Sequence, residues 1–168
     1  MYVIVHNNSY IPLTKYEGVK AQAGSTTDIG ITRTYVNRLS SPYSDCRKDV
    51  TKYSSDDSYY YKYILTNMNN ETKYTQKLCY QVCYQDLINQ RCNCTEPTNT
   101  IMLNANLSLC STDLQATCAD NALSSCLKSN EKCSCTDYCP LECDSITYSM
   151  STSSSNYVFI LIKYLVFL

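Results

Sequence analysis

An α+β fold is predicted, and three observations predict it. Short runs of β-branched and aromatic residues, partly alternating, stand near both ends of the chain. Longer runs with apolar residues at helical spacing fill its middle. Eleven of the twelve cysteines crowd between Cys79 and Cys143, where staples rather than a large core would hold those helices.

In chain order, residues 2–5 (YVIV) and 27–36 (TDIGITRTYV) are strands, punctuated by Gly24 and Gly30. Ser40-Ser41-Pro42-Tyr43 is a turn signal. Residues 51–63 (TKYSSDDSYYYKY) are polar and tyrosine-rich and read as an exposed connector. Residues 71–90 read as a helix, with Leu78, Val82, Leu87 and Ile88 near one face and Cys79 and Cys83 four residues apart on a shared face. Residues 95–109, with Pro97 and three asparagines, read as loop. A second helix is predicted from Ser111 as N-cap to about Lys128, with Leu114, Cys118, Ala122 and Cys126 recurring every four residues and Asp113 favourable in the first turn. After a cysteine knot at 133–143, residues 145–153 (SITYSMSTS) alternate again as a strand. There is no internal repeat.

Composition narrows the function. Charged residues make up 17% of the 168 residues, against roughly 25% in an average domain. The 14 Lys+Arg nearly cancel the 15 Asp+Glu, leaving a net charge of −1. A broadly basic nucleic-acid binder is thereby excluded, because displacing phosphate counterions needs a positive stripe. A hydrophobic fraction of 44% with so little net charge argues against long disorder.

The cysteines admit two readings, disulfides outside the cytosol or metal thiolates inside it. No Cys-x-x-Cys occurs, and the single histidine, His6, stands 40 residues before the first cysteine, so disulfides are favoured over zinc. The N-x-Ser/Thr sequons at Asn7, Asn70, Asn93 and Asn106 agree with export, Asn93 least because its middle residue is a cysteine. The first residues lack a basic n-region and a sustained apolar stretch. The closing run 157–168 (YVFILIKYLVFL) is shorter than the roughly 20 apolar residues of a spanning helix. An oxidising-compartment domain with no export device is most simply a fragment of a longer chain.

No enzyme is expected. His6 has no Gly-x-Ser-x-Gly elbow to serve, and three isolated glycines make neither a Walker loop nor a dinucleotide fingerprint. Asp56-Asp57 and the pair Glu142/Asp144 read as solvated loop, since adjacency in sequence makes no pocket. No cofactor, metal or catalytic residue is assigned.

One ordered set of motifs remains. Gly24-x-x-Thr27 is followed twelve residues later by LSSPYSDC at 39–46, then by Cys-x3-Cys at 79–83 and Cys-x-Cys at 92–94. The run CTDYCPLECDSITY closes the set at 135–148, and VIVHNNxxxP opens it at residue 3. Together these resemble the palm-to-thumb segment of the degenerin, epithelial sodium channel and acid-sensing ion channel family, over roughly residues 3–156.

The resemblance implies palm strands at 1–45, a cysteine-rich two-helix thumb at 46–143, a returning palm strand at 144–156 and an unassigned apolar tail at 157–168. The tail is either an apolar strand or a misread chain end. It also implies the bridges Cys46–Cys143, Cys79–Cys139, Cys83–Cys135, Cys92–Cys118 and Cys94–Cys110. Cys126 and Cys133 exceed the family's ten thumb cysteines and are free to close a local sixth bridge, which leaves Cys133 and Cys135 in competition for Cys83. Tyr43 matches the aromatic position where the family's thumb meets its first membrane helix, which implies a role in gating coupling. The family's two membrane helices are absent, so the chain is expected to form no pore by itself. The implied parent is a plasma-membrane, amiloride-sensitive sodium channel subunit, trimeric with other subunits, passing sodium ions and exposing this domain extracellularly. The competing expectation is a secreted disulfide-rich binding module.

Overall fold

The structure, a computed structural model, describes residues 1–12, 17–67, 72–97, 106–128 and 135–156. Its elements run β1 (Tyr2–Ile4), β2 (Gly18–Lys20), β3 (Ser25–Asn37), α1 (Tyr59–Asn67), α2 (Gln76–Cys92), α3 (Asp113–Lys128), α4 (Cys135–Tyr138) and β4 (Asp144–Asn156). Helices and small antiparallel sheets share one chain, which is the α+β class.

β1 pairs with β2, Val3 opposite Val19. β3 pairs with β4 along their whole length, from Ser25 opposite Asn156 to Asn37 opposite Asp144. The two faces of this ribbon differ because side chains alternate. One carries Ile29, Ile31, Tyr35, Ile146, Tyr148 and Met150, and the other is a run of hydroxyls in which Thr34 faces Thr147 and Thr32 faces Ser149. Gly30 belongs to that hydroxyl face, and a Cβ there would stand 2.7 Å from Ser151 Oγ. Two strands alone are marginal in water, so the ribbon depends on what is cross-linked to its end.

The helices pack along α2. Thr75 caps it, its Oγ1 accepting from Leu78 N at 3.2 Å, and Asn93 ends it in the left-handed region with φ 50°. The first half of α2 buries Leu78, Cys79 and Val82 with Tyr61, Ile64, Tyr74 and Cys139. Its second half buries Ile88 with Cys94, Ala119 and Ala122. Five disulfides run the length of the module: Cys46–Cys143, Cys79–Cys139, Cys83–Cys135, Cys92–Cys118 and Cys94–Cys110. A Cys126–Cys133 bridge and the tail 157–168 lie outside the described residues.

Three sequence expectations need correction. The connector at 51–63 is only in part exposed: α1 begins at Tyr59, and Tyr61 is 0% exposed. Tyrosine hides this because its ring buries like phenylalanine while its hydroxyl finds a partner, here the Lys52 carbonyl at 3.2 Å. The cap of α3 is Thr112, not Ser111. Its Oγ1 accepts from Gln115 N, and Gln115 Oε1 accepts in return from Thr112 N, a reciprocal capping box. Leu114 is 84% exposed, not inward. A four-residue repeat drifts by about 40° per step, and the face that packs is set by Cys118, Ala119 and Ala122. β2 was not foreseen at all.

Candidate functional site: the joint between ribbon and helices

Where β3 ends and β4 begins, the ribbon hands over to the helices. Asn37 Nδ2 donates to Asp144 Oδ1 across the last strand pair, and Arg38 N donates to Cys143 O at 2.9 Å. The chain then makes a turn at 39–45. Tyr43 N donates to Ser40 O at 3.1 Å, Ser44 Oγ to Leu39 O at 2.6 Å, and the Ser41–Pro42 bond is cis. Cys46–Cys143 returns the turn to the start of β4, reinforced by Arg47 N to Leu141 O at 2.7 Å and Cys143 N to Arg47 O at 3.1 Å. One disulfide and three backbone bonds therefore fasten both strands, at this end of the ribbon, to the helical module.

Arg47 carries the connection inward. Its guanidinium donates through both terminal nitrogens to the two oxygens of Asp57, the Nη2–Oδ2 bond at 3.0 Å, and lies 4.6 Å above the Tyr61 ring. Tyr61 meets Tyr74 edge-on at 4.7 Å, and Tyr74 Oη donates to Pro140 O at 2.7 Å. The network starts beside Cys46 and closes three residues before Cys143.

Its charges are fixed. The Arg47 bond, aided by Ser54 N donating to Oδ2 at 2.6 Å, holds the Asp57 carboxyl at about 2. Asp57 in turn raises the Arg47 guanidinium further above its ordinary value. Burial pushes the phenols of Tyr61 and Tyr74 up, so both stay protonated. These four groups keep one ionisation state across physiological pH.

A second clamp holds the start of α2. Glu142 Oε2 accepts from Gln76 N at 2.9 Å, where a carboxylate also meets the positive end of the helix. Gln76 Nε2 donates to Cys139 O at 2.8 Å, and Lys77 pairs with Glu17 at 3.0 Å, tying α2 to the segment before β2. A cleft of about 470 Å³ lies between the segment that follows β1, β2, β4 and this helix start. Ten cysteines are spent in bridges and offer no thiolate, and among the described residues no group of three His, Cys, Asp or Glu could hold a metal ion.

The amiloride-sensitive sodium channel family model matches residues 1–161. The chain belongs to that family. It is 29% identical over 92 residues to the epithelial sodium channel gamma subunit of Xenopus laevis, covering 55% of this chain and 12% of that protein. It is 30% identical over 93 residues to degenerin mec-10 of Caenorhabditis briggsae, covering 55% and 11%. With degenerin mec-4 of the same species the match extends over 147 residues at 26%, covering 86% and 18%. The chain thus spans less than a fifth of the length of these relatives. No helix among the described residues is long and apolar enough to cross a membrane.

In this family member Tyr43 stands at the outer rim of the joint, 78% exposed, beside the exposed Leu39. The sequon residues are scattered. Asn106 is exposed, the amide oxygen of Asn7 is engaged by Ser9 N at 3.0 Å, and Asn70 lies outside the described residues. Sequence reading took Asp57 and Glu142 for solvated loop, whereas Arg47 engages the first and Gln76 N the second, and it missed Arg47, Tyr61 and Tyr74. The only signal was the tyrosine run at 59–63, where Tyr61 and Ile64 have the three-residue spacing of one helix face.

Proposed function

We propose that this chain is the palm-and-thumb part of the extracellular domain of an amiloride-sensitive sodium channel subunit at the plasma membrane, and that it transmits gating movement to a pore built by other segments. On this reading residues 1–45 and 144–156 are palm, residues 46–143 are thumb, and the parent assembles with two further subunits to pass sodium ions. Asn7, Asn70 and Asn106 are then on the glycosylated side of the membrane.

The observation that carries the reading is the joint itself. A cross-linked helical body meets the ribbon through one short, bonded segment, so force applied to the helices reaches the ribbon end and the Tyr43 turn with little give. An aromatic ring suits such a relay, since it offers a large stiff surface with two torsions to freeze.

The test is Tyr43→Ala in a full-length parent carrying these residues, recorded beside surface biotinylation. Surface delivery is expected to hold, because Tyr43 is outside the cores and the bridges. Coupling is expected to fall by about 5–150-fold in the opening equilibrium, the usual range for linked sites. Tyr43→Phe should be mild. A Tyr43→Ala channel that reaches the surface and opens normally removes the coupling role.

A further inference from the structure

We propose that the outer face of α1 is a docking surface for a partner protein that presents arginine side chains. Independently of the gating reading, the chain itself shows what such a surface lacks. At the joint, a guanidinium lies on a tyrosine ring and pairs with an aspartate: Arg47, Tyr61 and Asp57. On the ribbon, Arg33 lies 4.6 Å above the Tyr35 ring. The outer face of α1, with Asp86 of α2 at its edge, repeats the aromatic and acidic parts of the first arrangement, and among the described residues no cation lies on its rings.

Four rings form it. Tyr59 contacts Tyr60 at 5.5 Å and Tyr63 at 6.0 Å, and Tyr60 meets Tyr138 of α4 edge-on at 5.9 Å. Tyr59 is 64% exposed and Tyr138 47%, while Tyr60 and Tyr63 pack partly into the core and hold the patch in place. At its edge, Asp86 Oδ2 accepts from Tyr60 Oη at 3.0 Å and from Gln90 Nε2 at 2.8 Å. Its Oδ1 accepts from none of the described residues. The nearest cation in sequence, Lys62, turns its Nζ to the Ser55 carbonyl at 2.6 Å.

An open carboxylate oxygen at the edge of a partly exposed tyrosine patch is complementary to a planar cation. Arginine fits better than lysine, because its fork reaches carboxylate oxygens while its plane stacks on a ring. The tyrosines also suit a protein interface, where rings supply contact area and hydroxyls stay wet.

The experiment titrates the oxidised 168-residue chain with a Gly-Arg-Gly-Arg-Gly-Arg-Gly peptide, its lysine counterpart and its neutral citrulline counterpart, by calorimetry and by NMR of labelled tyrosine rings. Saturable binding of the arginine peptide is expected, weaker for lysine and lost for citrulline, with the shifts at Tyr59, Tyr60 and Tyr138. Tyr59→Leu and Tyr138→Leu keep apolar bulk but remove the π-face, and each should weaken binding by about 2- to 30-fold. Asp86→Asn keeps the shape and should act similarly, which decides the matter if a ring variant folds poorly. The proposal is overturned by no saturable binding, by equal binding of citrulline, by affinity unchanged in all three variants, or by shifts confined to Tyr35. Saturation by maltoheptaose in place of the arginine peptide would mean a sugar platform and overturns it too.

Discussion

Arg47 meets Asp57 edge-on and Tyr61 face-on, a combination that depends on the flat fork of a guanidinium. Arg47→Lys keeps the charge but not the fork, and is expected to lower stability by about 1–2 kcal/mol, read from the shift in urea midpoint. The pH dependence follows from the carboxyl. Its folded value of about 2 lies below the ordinary 3.8, so the folded state favours the charged form. That stabilisation is fully present above the unfolded value and is lost as pH falls through the folded one. The stability difference between the native chain and Asp57→Asn is therefore expected to be constant above about pH 5 and to shrink from about pH 4 towards pH 2. A difference still undiminished at pH 2 would show that the ion pair is not its source.

α3 has little support of its own. It packs on the distal half of α2 through Ala119 and Ala122, small side chains that bury little area, with Leu123 partly buried beside them, and is tied there by Cys92–Cys118. Replacing both cysteines by serine is expected to release α3 locally: amide exchange should accelerate across 113–128 while Leu78 and Val82 stay protected. Equal loss of protection in both halves of α2 would mean that the module opens as one unit. Thr112→Ala, which removes the cap, should cost about 1 kcal/mol. Elements differed in how far they could be read. β3, β4 and α2 announced themselves through alternation and through Cys79/Cys83 at helical spacing. α1 did not, because tyrosines favour strands in isolation and its neighbours Asp56, Asp57 and Ser58 look like loop. β2 is three residues long, too short for any period, and exists by pairing with β1.

For the whole molecule, two small cores lie on either side of α2's midpoint, and the ribbon has little core of its own. Such a body leans on its cross-links. Full reduction is expected to abolish cooperative thermal unfolding near room temperature, followed by circular dichroism. A melting curve unchanged in reductant would mean that packing alone suffices. At this scale the cysteine count pointed to a stapled module, but spacing could not say which thiol meets which, and the pairing was legible only through the family resemblance. The joint was less legible still. Arg47 and Asp57 are ten residues apart with no regular element between them, and Tyr74 reaches Pro140 across 66 residues. Contacts of that kind leave no period in a sequence.

The five bridges nest like brackets: Cys46–Cys143 encloses Cys79–Cys139, which encloses Cys83–Cys135, then Cys92–Cys118, then Cys94–Cys110. No pair crosses another, so the connectivity is that of a stem closed from its tip, and oxidation never has to thread one loop through a second. The innermost pair spans 16 residues and the outermost 97, and closing a loop costs more entropy as it lengthens. Once Cys94–Cys110 is made, Cys92 and Cys118 have only the short arms 92–94 and 110–118 left to bring together. Each closure shortens the next, and the sequence of events has a direction. Thiols trapped during refolding are expected to disappear first at Cys94 and Cys110 and last at Cys46 and Cys143. The joint to the ribbon would then be fastened only after the helices it serves are already stiff.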